Sequence, residues 1–211
     1  MRIFRWLAAF ALIMGFAFLE AWYVRPVGAD TVYLCVVDKD RNCVSLIQSN
    51  YNGFGSGLVP DDLGFAMQNR GTLFALDPGH PNRLEPHKRP FHTIIPAMVF
   101  KDGLPWLVFG VMGGDMQAQG HVQMIVRLAD HRQNPQTAAD APRWKVLGGR
   151  EVIVEHHMPE AAVEGLAQLG HQVRRLERWN TQFGSAQLIY RLEGGYFAAS
   201  EPRRDGQAVG F

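Results

Sequence analysis

The segment Asp30-Thr31-Val32-Tyr33-Leu34-Cys35-Val36-Val37-Asp38 decides how the rest of the chain is read. Its β-branched and aromatic residues favour an extended strand, and the polar run Asp38-Lys39-Asp40-Arg41-Asn42 follows it. The chain then returns as Cys43-Val44-Ser45-Leu46-Ile47-Gln48-Ser49. Together these stretches predict a β-hairpin over residues 31–49. Thr31 stands at its head. It is an ordinary strand residue if the chain simply runs on upstream. If the bond between Asp30 and Thr31 is cut, the freed α-amine can take the hydroxyl proton, and Thr31 becomes a nucleophile.

Around this hairpin lies a chain of 211 residues, enough for one domain with a full core. The 21 basic and 20 acidic residues leave a net charge of +1, so no basic excess is available to displace counterions from a nucleic acid. A hydrophobic fraction of 47% with 22 glycines describes a folded, loop-rich globule. The two cysteines, Cys35 and Cys43, flank the hairpin turn asymmetrically and do not form a disulfide framework. They leave the redox compartment open.

Residues 1–29 differ from the rest. Arg2 and Arg5 lead into an apolar run over residues 6–19, and Val27-Gly28-Ala29 supplies small residues of the kind signal peptidase accepts. The run is short for a membrane span. Three readings stand for it: a cleaved signal peptide, an uncleaved anchor and a buried helix. The first places the protein in the periplasm or outside the cell; otherwise it is cytoplasmic. Membrane contact is expected only for an uncleaved leader. A cut after Ala29 would leave Asp30 ahead of Thr31. The domain boundary is therefore expected between a leader, 1–29, and a catalytic domain, 30–211.

Downstream, the Gly- and Asn-rich residues 50–57 predict an irregular loop, and residues 63–68 a short strand. The proline-rich stretch 77–90 cannot hold regular structure for long. A second hairpin is expected over 92–100 and 104–112. A helix should start at Gly113-Gly114, with Ala118, Val122, Ile125 and Ala129 sharing its apolar face. Asn134-Pro135 caps a second, short helix that ends before Pro142. Residues 151–155 predict a strand, 159–169 a helix stopped by Gly170, and 172–176, 186–192 and 196–200 further strands. This order gives an α+β fold with antiparallel sheets and helices packed on them.

Six stretches carry a resemblance to a known family: DTVYLCVVDKDRNCVSLIQSN, NGFGSGLV, PHKRPFHTIIP, FGVMGGDMQAQGHVQMIVRL, NPQTAADAPRW and SEPRRDGQAVGF. In this order, from about Gly28 to Phe211, they resemble the small catalytic subunit of the gamma-glutamyltransferases. The resemblance implies an N-terminal nucleophile hydrolase fold, an αββα sandwich of two antiparallel sheets between helical layers. It is expected to be partial without the large subunit. It also implies a precursor that cuts itself before a threonine, which then attacks a γ-glutamyl amide. Thr31 occupies that place, and its own amine would be the base.

Further roles follow residue by residue. Gly113 and Gly114 match the oxyanion hole, although a strand-to-helix turn alone would also call for glycine. Ser49 matches a hydroxyl that orients the nucleophile, or it merely bonds its own loop. Substrate-binding positions fall on Tyr51, Arg70, His92 and Thr93. Tyr51 replaces the family's asparagine, Leu73 stands where an acidic residue grips the substrate α-amine, and His92-Thr93 replaces paired serines. Arg70 instead supplies a cation that can pair with a carboxylate. These departures resemble an acylase-like branch of the family.

His156 and His157, adjacent in a predicted strand, would face opposite ways, and the other histidines show no ligand spacing, so no metal is expected. No cofactor is expected either. Arg174-Arg175 and Arg203-Arg204 read as solvated pairs. The expected partners are a large-subunit-like chain or segment and a small γ-glutamyl or acyl amide. Only thirty residues precede Thr31. The alternative to an acyl-enzyme hydrolase is therefore a truncated, inactive remnant or binding domain of the same fold.

Overall fold

The computed structural model describes residues 30–178 and 180–211. The leader and its candidate cleavage site lie outside these residues. The first hairpin forms as expected, from β1 (Asp30–Val37) and β2 (Cys43–Tyr51). Asp38 closes its turn, its carboxylate accepting from the backbone N–H groups of Asp40 and Asn42 and from the Asn42 amide. Cys35 lies opposite Ser45 and Cys43 opposite Val37, so the two thiols face different partners and remain free.

The hairpin packs on a four-stranded antiparallel sheet of order β3-β4-β8-β9. Its strands are β3 (Pro96–Lys101), β4 (Leu104–Met112), β8 (Ser185–Arg191) and β9 (Tyr196–Ala199). β4 is central and buried on both faces, which explains its continuous apolar run. Gly110 lets the Tyr33 ring lie flush against β4; a side chain there would collide with the ring. On the other face, Leu107, Phe109 and Val111 meet Met124, Leu128 and Ala138 in the main core. The last three come from α1 (Met116–Ile125), its π-helical continuation Val126–Asp130, and α2 (Pro135–Asp140). The Asn134 side chain caps α2 by accepting from the N–H groups of Gln136 and Thr137, as the sequence predicts.

The described residues thus stack as hairpin, sheet and helices. The outer face of the hairpin, built from Val32, Leu34, Val36, Val44 and Leu46, is exposed. Beside this stack lies a small sheet of β5 (Trp144–Gly148), β6 (Glu151–Val154) and β7 (Gln172–Arg175). β6 and β7 run parallel, joined through α3 (Glu160–Gln168). Gly170 stops α3 at φ +87°.

Several expectations are corrected. Residues 63–68 form no strand: Asp62 and Gly64 take left-handed backbone angles that break an extended run. β3 starts at Pro96 rather than His92, and α1 at Met116 rather than Gly113. The small sheet includes a strand, β5, that its short sequence hid, and a parallel pair where only antiparallel pairing was expected.

The face of α1 is also reversed. Ala118, Val122 and Ala129 point to solvent, while Gln117, His121 and Gln123 are buried. The buried glutamines are satisfied. Gln117 Oε1 accepts from Ile95 N at 2.9 Å, and Gln123 Nε2 donates to the Trp144 carbonyl at 2.9 Å. Hydrogen bonds to neighbouring backbone allow polar residues to take the inner face.

Candidate functional site

Thr31 lies where the ladder of the first hairpin slips. Asp30 pairs with Tyr51 and Thr31 with Ser49, leaving Asn50 as an extra residue opposite the bond between Asp30 and Thr31. Such a bulge re-aims side chains and ends regular pairing. Tyr51 takes the strain of the turn at φ +78°, a conformation uncommon for an aromatic residue. Thr31 Oγ1 donates to Ser49 Oγ at 2.9 Å, and Ser49 Oγ also accepts from Tyr51 N at 2.9 Å. The second bond fixes the serine, and the fixed serine holds the rotamer of Thr31.

Tyr33, two residues on, anchors the strand. Its ring is buried against Gly110, and its hydroxyl meets Ser45 Oγ at 2.7 Å. Burial pushes the Tyr33 phenol up, well outside the physiological range. Burial likewise raises the Cys35 thiol to about 11, which keeps it an inert thiol.

Gly113 shares with Thr31 an open cleft of about 1490 Å³. Gly113 and Gly114 follow β4 with φ of +124° and +59°. Their carbonyls accept from Met116 N and Gln117 N at 3.1 and 3.0 Å, so the peptide planes of the turn are fixed by the start of α1. A Cβ on Gly113 would sit 2.8 Å from the Cα of Gly184. Only glycine therefore fits Gly113, for both conformation and space. Charged residues of the cleft lining are Lys145, Arg204 and Asp205.

Arg70 opens the 3-10 turn Arg70–Leu73 and is only 6% exposed. Its guanidinium carbon lies 5.1 Å from the centroid of the Tyr51 ring. Burial lowers its pKa from the ordinary arginine value, with no carboxylate among the causes. Thr93 is buried and its Oγ1 lacks a partner among the described residues, whereas His92 is exposed. Thr31, Ser49, Tyr51 and Arg70 thus cluster at one end of the hairpin, and Gly113 lines the same cleft as Thr31. His156 and His157 lie in a turn instead of a strand, with ring centroids 4.6 Å apart. Among the described residues, no group of three or more His, Cys, Asp or Glu side chains comes together as a metal site.

Sequence reasoning missed the support behind Gly113. Arg143 is fully buried and donates to the Phe183 and Gly184 carbonyls at 3.2 and 3.1 Å and to Ala139 O at 3.1 Å. It pairs with Glu201 Oε2 at 2.8 Å. Glu201 in turn meets Arg203 Nη1 at 2.6 Å, and Arg203 Nη2 meets Glu155 at 2.5 Å. Arg203 is therefore part of a nearly buried ion network, which corrects its reading as a solvated residue. Burial alone would raise the Glu201 carboxyl, but the charges of Arg143 and Arg203 outweigh it and hold the group below its ordinary value. The stretches APRW and SEPRR contained these residues, but their contacts span gaps of up to 64 residues that charge counting cannot see.

Set beside known proteins, the gamma-glutamyltranspeptidase family model matches residues 15–211. The glutathione hydrolase-like YwrD proenzyme of Bacillus subtilis is 42% identical over 193 residues, covering 88% of this chain and 37% of its own length. The oxamate amidohydrolase proenzyme of Klebsiella pneumoniae is 38% identical over 190 residues, covering 86% and 36%. The solved structure of cephalosporin acylase from Bacillus halodurans is similar at a TM-score of 0.78 and 47% sequence identity, covering 83% of this chain and 33% of that one. The chain spans about a third of the length of these proteins.

Proposed function

The chain belongs to the gamma-glutamyltranspeptidase family, with its N-terminal nucleophile hydrolase fold, and on that premise we propose that it is the catalytic part of an N-terminal threonine amidohydrolase. The observation that carries the reading is the Thr31 hydroxyl, held by Ser49 beside a bulge and sharing one cleft with Gly113.

In this mechanism the bond between Asp30 and Thr31 is first hydrolysed, freeing the Thr31 amine. That amine takes the hydroxyl proton as Oγ1 attacks the amide carbonyl. The backbone N–H groups of Gly113 and Gly114 stabilise the oxyanion. The C–N bond breaks, the leaving amine takes the proton from the Thr31 ammonium, and an ester remains on Thr31. Water, deprotonated by the same amine, releases the acid and restores the hydroxyl. The substrate class is a γ-glutamyl or related acyl amide, in keeping with relatives named glutathione hydrolase-like and oxamate amidohydrolase proenzymes.

The exposed apolar face of the hairpin supports a partner segment that covers it, since contiguous apolar surface of this kind marks an interface. Among the described residues no helical layer covers the outer face of the hairpin, and the greater length of the relatives fits the same idea.

Intact mass with N-terminal sequencing, before and after exposure to an acylating p-nitroanilide, tests the proposal. The expected result is a species starting at Thr31 that gains one acyl mass on that residue. Thr31→Ala should lose the adduct and cut turnover at least about a thousandfold. A folded protein that is never cut before Thr31 and takes no acyl group would overturn the proposal.

A further inference from the structure

The first turn of α1 follows directly on Gly113 and Gly114, yet Asp115, at its N-terminal boundary, makes no capping hydrogen bond through its side chain. Two residues on, Gln117 is only 1% exposed and is engaged from three sides. Its N–H donates to the Gly114 carbonyl at 3.0 Å. Its own carbonyl accepts from His121 Nδ1 at 2.6 Å, and since a carbonyl can only accept, that ring nitrogen carries the proton. Its side-chain Oε1 accepts from Ile95 N at 2.9 Å.

The third bond closes a frame around the glycine turn. Ile95 stands next to Pro96, the first residue of β3, and Pro96 pairs with Gly110 of β4. β4 ends at Met112, immediately before Gly113. The strand that enters the turn and the helix that leaves it are thereby tied to one stretch of backbone, β4 through its ladder and α1 through Gln117. Two glycines in succession can turn in many ways, so the direction of their N–H groups depends on how firmly both ends are held. A misplacement of about 1 Å in a catalytic group can cost on the order of a hundredfold in rate.

Gln123, on the same helix, shows what a plain core glutamine looks like. It is 5% exposed and bonds the Trp144 backbone through both amide atoms, at 2.9 and 3.2 Å. It braces β5, further along the helix and away from the glycines.

We propose that Gln117 is a positioning residue for the oxyanion hole: its bond to Ile95 fixes the start of α1 against the end of β4 and so aims the N–H groups of Gly113 and Gly114. Gln117 is not among the residues that line the cleft, so it acts through the turn and not on the substrate. The inference rests on the hydrolase reading above for what those N–H groups do.

Paired variants test it on the protein processed to start at Thr31, with γ-glutamyl- and glutaryl-p-nitroanilide as probes. Gln117→Met keeps the length of the side chain and removes the acceptor, and Gln123→Met does the same at the other brace. For Gln117→Met, kcat should fall about ten- to thirtyfold, less than for outright loss of an oxyanion donor, with KM within about threefold of the wild type. Gln123→Met should lower the melting temperature to a similar degree and change kcat by less than about threefold. Gln117→Glu retains an acceptor oxygen and should recover part of the loss. A Gln117→Met kcat within about threefold of the wild type, or equal losses in the two Met variants, overturns the proposal and leaves the Thr31 chemistry standing. A wild type that never takes an acyl group on Thr31 sinks the hydrolase reading instead.

A second measurement needs neither turnover nor a variant. Butylboronic acid forms a bond from Thr31 Oγ1 to boron, the hydroxyl proton passes to the Thr31 amine, and the anionic tetrahedral adduct places an oxygen in the hole. If the Ile95 bond strengthens the hole, the filled hole strengthens the Ile95 bond by the same factor. Amide hydrogen exchange at Ile95 should therefore slow at least about threefold in the adduct, while that at Trp144 stays unchanged. This readout decides if Gln117→Met does not fold: unchanged exchange at Ile95 overturns the proposal.

Discussion

Two buried arginines, Arg70 beside Thr31 and Arg143 behind Gly184, have the same charge and nearly the same burial, yet their surroundings differ. Arg143 sends both terminal nitrogens into carbonyls and Glu201, and Glu201 passes the charge on to Arg203 and Glu155. Arg70 has a clamped backbone, one aromatic face and open donors. A paired buried cation belongs to the framework, because removing either partner strands the other charge. An incompletely paired one supplies no such ion-pair strut. The difference separates a strut of the fold from a cation whose pairing among the described residues is incomplete.

The largest expected effect lies on the strut. Arg143→Met leaves Glu201 buried with Arg203 as its remaining cation and should cost about 3–5 kcal/mol of stability. Urea denaturation measures it. Arg143→Met with Glu201→Leu should recover much of the loss, since neither charge is then stranded. If the single variant loses less than about 1 kcal/mol, the contrast between the two arginines is broken.

Next in size is the contact through which the strut reaches the site. Gly113→Ala forces a side chain into a backbone with φ +124° and against the Cα of Gly184. Gly184 is pinned by Arg143, so Gly113 must give way. On the proposed mechanism, loss of an aligned oxyanion donor predicts a fall in kcat of about a hundredfold with a smaller change in KM.

A smaller effect is expected from acid. Glu201 is held below its ordinary value of 4.5, so its charged form is favoured by folding. Its contribution to stability is complete above about pH 4.5 and is lost as pH falls through its depressed value. Glu201→Gln should flatten that part of the acid limb, as read from the slope of melting temperature against pH. An unchanged slope would assign acid sensitivity to other carboxylates.

The hairpin end around Thr31 was more legible in the sequence than the strut, and for a physical reason. The hairpin that carries Thr31 is placed by strand period and by one turn, both local properties, whereas Ser49 and Tyr51 were singled out by the family resemblance. Gly113 and Gly114 mark the abrupt strand-to-helix turn, which needs their backbone freedom, while their reading as an oxyanion hole came from the family resemblance. The network, by contrast, is made by long-range pairing. Arg203 lies 48 residues from Glu155, and nothing near it in sequence distinguishes it from Arg204, which is exposed. The inner face of α1 misled for a related reason. Its glutamines are buried because Ile95 and Trp144 present backbone groups to them, and that complementarity appears only once the strands are in place.

The smallest expected effect is also the one that separates the two arginines most sharply. Arg70→Met removes a buried cation and fills its place with an apolar chain. The clamp around Asn69 is untouched, because its bonds run through the Asn69 side chain and backbone. What is lost is a contact with the Tyr51 ring, worth about 0.5–2 kcal/mol. What is relieved is the desolvation of a charge with open donors, which is of at least similar size. The net change should fall within about 1 kcal/mol of zero and can be stabilising, against the several kcal/mol expected at Arg143. The same urea titration measures both. A loss above about 2 kcal/mol would make Arg70 a second strut. A near-neutral result leaves Arg143 as the strut and Arg70 outside the ion-pair framework.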